Sequence, residues 1–175
     1  MPDEKPTVDL DELETAFDLI NSSMEPMPVY ISRLTGELVY DAEAFTGEPC
    51  PVEEIDCHPD YLHLPDAIDL DLKQALVWRF VRSRIPEHEP TIRQFFRRRG
   101  AYGRYKSFLE SEGRLDDWFE FESRSIREAL LEWCQDNRVA VRNEPRPKAL
   151  TPAQQQQLAA ATAVAGPAIK SIEVF

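Results

Sequence analysis

The stretch VYISRLTGELVYD, residues 29–41, decides how the rest of the chain is read. Val29 to Arg33 and Glu37 to Asp41 are rich in β-branched and aromatic residues. Leu34, Thr35 and Gly36 lie between them, and Gly36 supplies the left-handed residue that a short hairpin loop needs. With a three-residue loop, Arg33 faces Glu37, Ile31 faces Val39 and Tyr30 faces Tyr40. Charge, aliphatic and aromatic partners then match across the ladder. A hairpin implies at least one further strand, and Tyr61 to Leu64, closed by Pro65, supplies it.

Everything around the hairpin reads as helix. Upstream, Asp9 and Glu12 form a capping box, and Leu10, Leu13, Phe17 and Ile20 recur at helical spacing, which predicts a helix over 9–22. Downstream, residues 42–60 read as an irregular connection carrying Gly47, Pro49, Pro51 and Pro59. Four helices follow, over 69–84, 90–99, 101–112 and 116–136, with Gly100 and Gly113 where C-caps belong. Helix, three strands, then four helices is the order of an α+β domain in which a small antiparallel sheet is covered by helices on one face. That domain is expected over residues 1–142. Residues 143–175, with Pro145, Pro147, Pro152, four consecutive glutamines and an alanine-rich run, are expected to be a low-complexity, disordered tail, with a short solvated helix from Thr151 as an alternative.

Charge is distributed unevenly. The 175 residues carry a formal net charge of −12. Residues 1–72 hold 19 Asp or Glu against Lys5 and Arg33, while residues 79–106 hold nine Arg or Lys against two Glu. Crowding like charges is unfavourable, so the basic segment needs a counterpart: the acidic half of its own chain, or an external anion. The first is expected, because nucleic-acid binding through a broad field usually comes with a basic domain and not with a pI near 4.7. No apolar run is long enough to span a bilayer, and the acidic start at Met1 to Glu14 is unlike a secretory signal. Cys50, Cys57 and Cys134 are odd in number and contain no CxxC pair. A cytoplasmic protein with reduced thiols is expected.

Two groups of residues are candidates for function. In the helix over 90–99, Arg99 falls on the same stripe as Ile92, Phe95 and Phe96. In the helix over 116–136, Glu122 falls among Trp118, Phe119, Ile126 and Leu130. A buried guanidinium demands a partner, so Arg99 and Glu122 are expected to form a structural ion pair that orients the two helices. Residues 97–106, RRRGAYGRYK, interleave cations with rings as single-strand nucleic-acid binders do. Helical spacing sends Tyr105, Phe108 and Leu109 inward, however, so the rings are spoken for. Arg93, Arg97, Arg98, Arg104 and Lys106 remain as candidate contacts. Cys50, Cys57, His58, Asp60, His63 and Asp66 cluster in sequence, but their spacing lacks the tight ligand pairs of zinc sites. No cofactor and no resident metal is expected, and no catalytic residue is assigned. The leading expectation is a binding or regulatory module that contacts a protein or a second copy of itself. The alternatives are RNA or DNA binding through residues 79–106 and a metal-dependent hydrolase using the His58 to Asp66 segment.

The hairpin residues Tyr30, Ile31, Ser32 and Thr35 to Val39 form a distinctive combination with RGAYGRYK at Arg99 to Lys106, with Trp118, Phe119 and Phe121, and with Glu132, Trp133 and Cys134. In these motifs the chain resembles an uncharacterised bacterial family, number 0158 of the UPF series, over about Asp9 to Arg138. The resemblance implies a cytosolic bacterial domain and brings no activity with it. The segment after Asn143 has no counterpart in the motifs.

Overall fold

The computed structural model describes residues 5–21 and 27–143. The expectations for a disordered tail over 143–175, and for a short helix from Thr151 within it, fall beyond Asn143 and lie outside the described residues. The fold is α+β, with a three-stranded antiparallel sheet, a separate parallel strand pair and six helices among the described residues.

The chain enters through a short strand, β1 (Thr7–Asp9), that runs directly into helix α1 (Leu10–Ile20). Asp9 ends one element and caps the next: its backbone is extended, and its side chain accepts from the backbone N–H groups of Asp11 at 3.0 Å and Glu12 at 3.4 Å. Helix α1 buries Leu10, Leu13, Ala16, Phe17 and Ile20, the stripe that the spacing predicts. Asn21 closes it. The Asn21 amide donates to the Phe17 carbonyl at 2.7 Å, and its oxygen accepts from the backbone of Ala67 at 2.9 Å, tying the helix end to the segment after the sheet.

The hairpin forms, but one residue out of the expected register. Strands β2 (Val29–Ser32) and β3 (Leu38–Tyr40) pair Val29 with Tyr40, Tyr30 with Val39 and Ile31 with Leu38. The reason lies in the loop. Ser32 Oγ accepts from the backbone N–H groups of Leu34 and Thr35, both at 3.3 Å, and Ser32 N donates to the Glu37 carbonyl at 2.9 Å. Arg33 therefore belongs to a four-residue loop and does not face Glu37. Gly36 sits at φ +81°, and a Cβ there would lie 2.3 Å from the carbonyl oxygen of Thr7. Glycine is thus required twice, by the turn and by the backbone of β1 crossing over it.

Strand β4 (Tyr61–His63) pairs antiparallel with the other side of β2, so β2 is central. Ile31 and Leu62 join the helical core. Tyr30 and His63 share the opposite face, with ring centroids 5.1 Å apart, and the Tyr30 hydroxyl donates to the Asp56 carboxylate. Tyr30 is 2% exposed there, and burial together with Asp56 pushes its hydroxyl pKa up. The connection expected to be irregular thus contributes helix α2 (Glu43–Thr46) and a 3-10 turn over Ile55–Cys57 that carries Asp56.

The remaining helices are α3 (Gln74–Arg84), α4 (Glu89–Phe95), α5 (Ala101–Ser111) and α6 (Leu115–Asp136). Helix α3 starts five residues later than predicted. The Asp66 carboxylate accepts from the backbone of Ile68 at 2.7 Å and of Asp69 at 2.9 Å, and Asp71 is left-handed at φ 54°, so 66–73 is spent on turns. Helix α4 ends at Phe95, which releases Arg97, Arg98 and Arg99 from any helical face before Gly100 turns left-handed at φ 74°. The core is aromatic where the helices meet. Trp118 makes edge contacts with Phe80 at 5.4 Å and Tyr105 at 5.1 Å. Burying side chains of this kind supplies roughly 1.5–3 kcal/mol each, most of what holds helices to sheet. A three-residue strand, β5 (Ala140–Arg142), closes the fold by pairing in parallel with β1. Neither member of that pair was expected from the sequence.

Candidate functional site

Early termination of α4 builds a cationic corner. Arg97, Arg98 and Arg104 line one recess of about 380 Å³ with Gln94 and Phe95. None of the three has an ion pair among the described residues. The other two predicted contact residues are occupied elsewhere. Arg93 pairs with Glu89 one helical turn earlier and lies over the Trp78 ring at 5.3 Å from its centroid, while the Lys106 ammonium lies over Phe119 at 5.7 Å. The rings near the corner are engaged with one another, Phe96 with Tyr102 at 5.3 Å and Phe95 with Phe108 at 5.7 Å. The corner therefore offers guanidinium groups to an anion, beside rings that contact one another.

The expected Arg99–Glu122 pair does not form. Arg99 is exposed, because it lies in the turn after α4 and not on the stripe of Ile92. Glu122 instead lines a second cavity, about 610 Å³, between α1, α5, α6 and the turn before α3. Burial pushes its carboxyl pKa up, Lys106 and then Lys73 pull it down, and Asp18 pushes it up. No ion pair or hydrogen bond to Glu122 exists among the described residues. In the core beside this cavity, Trp118 Nε1 and the Tyr105 hydroxyl are buried without a partner among the described residues. Burial and the charge of Glu122 raise the Tyr105 pKa. The spacing of Lys106 four residues after Tyr102 could have signalled that both line one cavity. Nothing local signals Lys73 or Asp18, which come from other elements.

Of the residues weighed as metal ligands, His58, His63 and Asp66 have structural partners. The Asp60 backbone N–H donates to His58 Nδ1 at 3.2 Å, and His63 packs on Tyr30. Among the described residues no three His, Cys, Asp or Glu side chains are grouped closely enough to hold a metal ion. Cys134 is buried, its thiol pushed up to about 11 by burial, whereas Cys57 is exposed.

Comparison with known proteins bears on all of these residues together. The model of the uncharacterised protein family UPF0158 matches residues 5–156. The chain belongs to that family. Within UPF0158, a protein of Pseudomonas aeruginosa, UPF0158 protein PA5073, is 27% identical to it over 153 residues, covering 83% of this chain and 93% of that relative. The family match extends beyond Arg138, where the motifs alone placed its end. No solved structure is significantly similar. Within the matched span, the segment Arg99 to Lys106 has a structural reading: Gly100 makes the turn, Tyr105 joins the core against Trp118, and Lys106 lines the Glu122 cavity. Among the described residues no helix is long and apolar enough to cross a membrane.

Proposed function

We propose that this UPF0158 protein is a cytosolic interaction module that docks an acidic protein surface on its arginine corner, with a second copy of the chain as the partner at hand. The observation that carries this is the convergence of Arg97, Arg98 and Arg104 on one recess with no carboxylate among the described residues to neutralise them. Guanidinium forks match carboxylates two oxygens at a time, and unpaired arginines so close together gain most from an anion. The chain carries such a surface: Glu43, Glu48, Glu53, Glu54 and Asp56 are exposed in a connection that contains no Lys or Arg. A head-to-tail contact follows from placing the corner of one copy on that connection of another. Nucleic acid is the less favoured partner, because a net charge of −12 repels polyphosphate and the neighbouring rings contact one another. Three cysteines with no disulfide among them fit a reducing compartment.

Static light scattering at low and high salt tests the reading. Association that weakens as salt rises, and that disappears in R97E/R98E/R104E, is expected. A protein that stays monomeric at every salt concentration overturns it. A salt-sensitive shift of a labelled single-stranded oligonucleotide, lost in the same variant, replaces it with the nucleic-acid reading.

A further inference from the structure

The Glu122 cavity is built differently from the arginine corner. Four ionisable groups line it, two of each sign: Lys73 and Lys106, Asp18 and Glu122. They come from α1, the turn before α3, α5 and α6, and no two of them form an ion pair. Glu122 is half-buried and carries the desolvation cost without a paired cation, whereas Asp18, Lys73 and Lys106 stand exposed at the rim, where their charges remain open to a ligand. Trp118 lines the same cavity. It is 2% exposed, and its indole N–H has no acceptor among the described residues. That N–H is closed off from the open space, so Trp118 contributes wall and not a hydrogen bond. The rest of the wall is mainly apolar, with Phe17, Leu72 and Ile126 from three different elements. At about 610 Å³ the space falls inside the roughly 300–1,000 Å³ typical of small-molecule sites.

We infer that this cavity binds an apolar α-amino acid, whose carboxylate is held by Lys73 and Lys106, whose ammonium is held by Glu122 and Asp18, and whose side chain lies on Phe17, Leu72 and Ile126. Charge decides the class. A simple anion would satisfy the lysines and be repelled by the two carboxylates, and a simple cation the reverse. Only a molecule carrying both charges close together meets all four groups, and the apolar wall selects an aliphatic or aromatic side chain over a polar one. The site is separate from the arginine corner: apart from neighbouring positions on α5, the two share no lining residue.

Isothermal titration of the full chain with L-leucine and L-phenylalanine tests the assignment, with N-acetyl-L-leucine and L-leucinamide as probes that each lack one charge. Saturable binding of at least one free amino acid is expected, weakened at least tenfold in both derivatives and in Lys106→Gln. Glu122→Gln should weaken L-leucine at least tenfold while leaving N-acetyl-L-leucine, which has no ammonium to lose, no weaker than it is with the wild-type protein. Circular dichroism of both variants separates lost binding from lost folding, and Lys106, exposed on α5, is the safer substitution. Absence of heat with any free amino acid at millimolar concentration overturns the inference. So does binding of N-acetyl-L-leucine as tight as that of L-leucine, which would make the site one for plain carboxylates.

Discussion

Two sets of arginines in this molecule stand in opposite circumstances. Those contributed by the C-terminal elements meet the acidic N-terminal elements: Arg127 on α6 makes two hydrogen bonds to Glu14 on α1, at 2.7 and 3.1 Å, and Arg142 on β5 lies 3.8 Å from the buried carboxylate of Asp9. Those at the α4–α5 corner, Arg97, Arg98, Arg99 and Arg104, meet no carboxylate among the described residues. The sequence shows an acidic half and a basic middle and invites the thought that one neutralises the other. In the fold, the acids of β1 and α1 are met by cations from beyond residue 120, because the parallel pairing of β1 with β5 and the packing of α1 against α6 bring those segments together. The basic middle is left facing outward. A charge imbalance along a chain therefore says little about which charges touch.

That contrast can be broken at its paired end with the largest effect. Gly36→Ala places a methyl group against the Thr7 backbone at a left-handed position. The combined strain and overpacking is expected to cost roughly 2–5 kcal/mol in urea unfolding and to speed amide exchange in β1 and β5. If β1 does not depend on the hairpin loop, stability and exchange will stay near wild type. Asp9→Ala removes the cap of α1 and the carboxylate facing Arg142 together, for an expected loss of roughly 1–3 kcal/mol. Asp9→Asn keeps the capping oxygen and should lose less, and an equal loss would show that charge matters more than the cap.

Glu122 stands between the two circumstances, a carboxylate near lysines but joined to neither. Its pKa is raised in the folded state, so folding binds a proton in the window from the ordinary carboxylate range up to the raised value. Stability accordingly falls as pH rises through that window and recovers on acidification. Glu122→Gln should flatten this part of a melting-temperature profile against pH, and an unchanged slope would place its source elsewhere. Arg127→Ala should lower stability slightly at low salt and indistinguishably at high salt, since the pair is exposed. At the bottom of the scale, R97E/R98E/R104E should unfold within about 0.5 kcal/mol of wild type, because these side chains bond to nothing among the described residues. A marked destabilisation there would show that the corner is structural.

Much of the fold was legible residue by residue. Asp9 announces the start of α1, the spacing of Leu10 to Ile20 gives its buried stripe, and the VYIS–LVY segments with Gly36 announce the hairpin. Its register was misread because Ser32 captures the loop backbone with its side chain, a choice of a few hydrogen bonds that alternation of residue types does not report. Arg99 was misplaced for a related reason: extending the α4 periodicity by four residues put it on the apolar stripe, whereas the helix had already ended. Glu122 was rightly singled out as a carboxylate on an apolar face, but its neighbours Lys73 and Asp18 lie 49 and 104 positions away.

By itself the sequence determined the α+β class, the order of the major elements, the buried stripe of α1 and the presence of more cation at the centre of the chain than at its start. These follow from interactions within a few residues, where spacing along the chain is nearly spacing in space. The tertiary structure alone decided that Thr7–Asp9 would lie beside Ala140–Arg142, that three arginines would share a recess without an acid, and that Glu122 would look onto two lysines in place of Arg99. Those outcomes depend on contacts between segments far apart in the chain, fixed only when the apolar faces of all the elements are buried together.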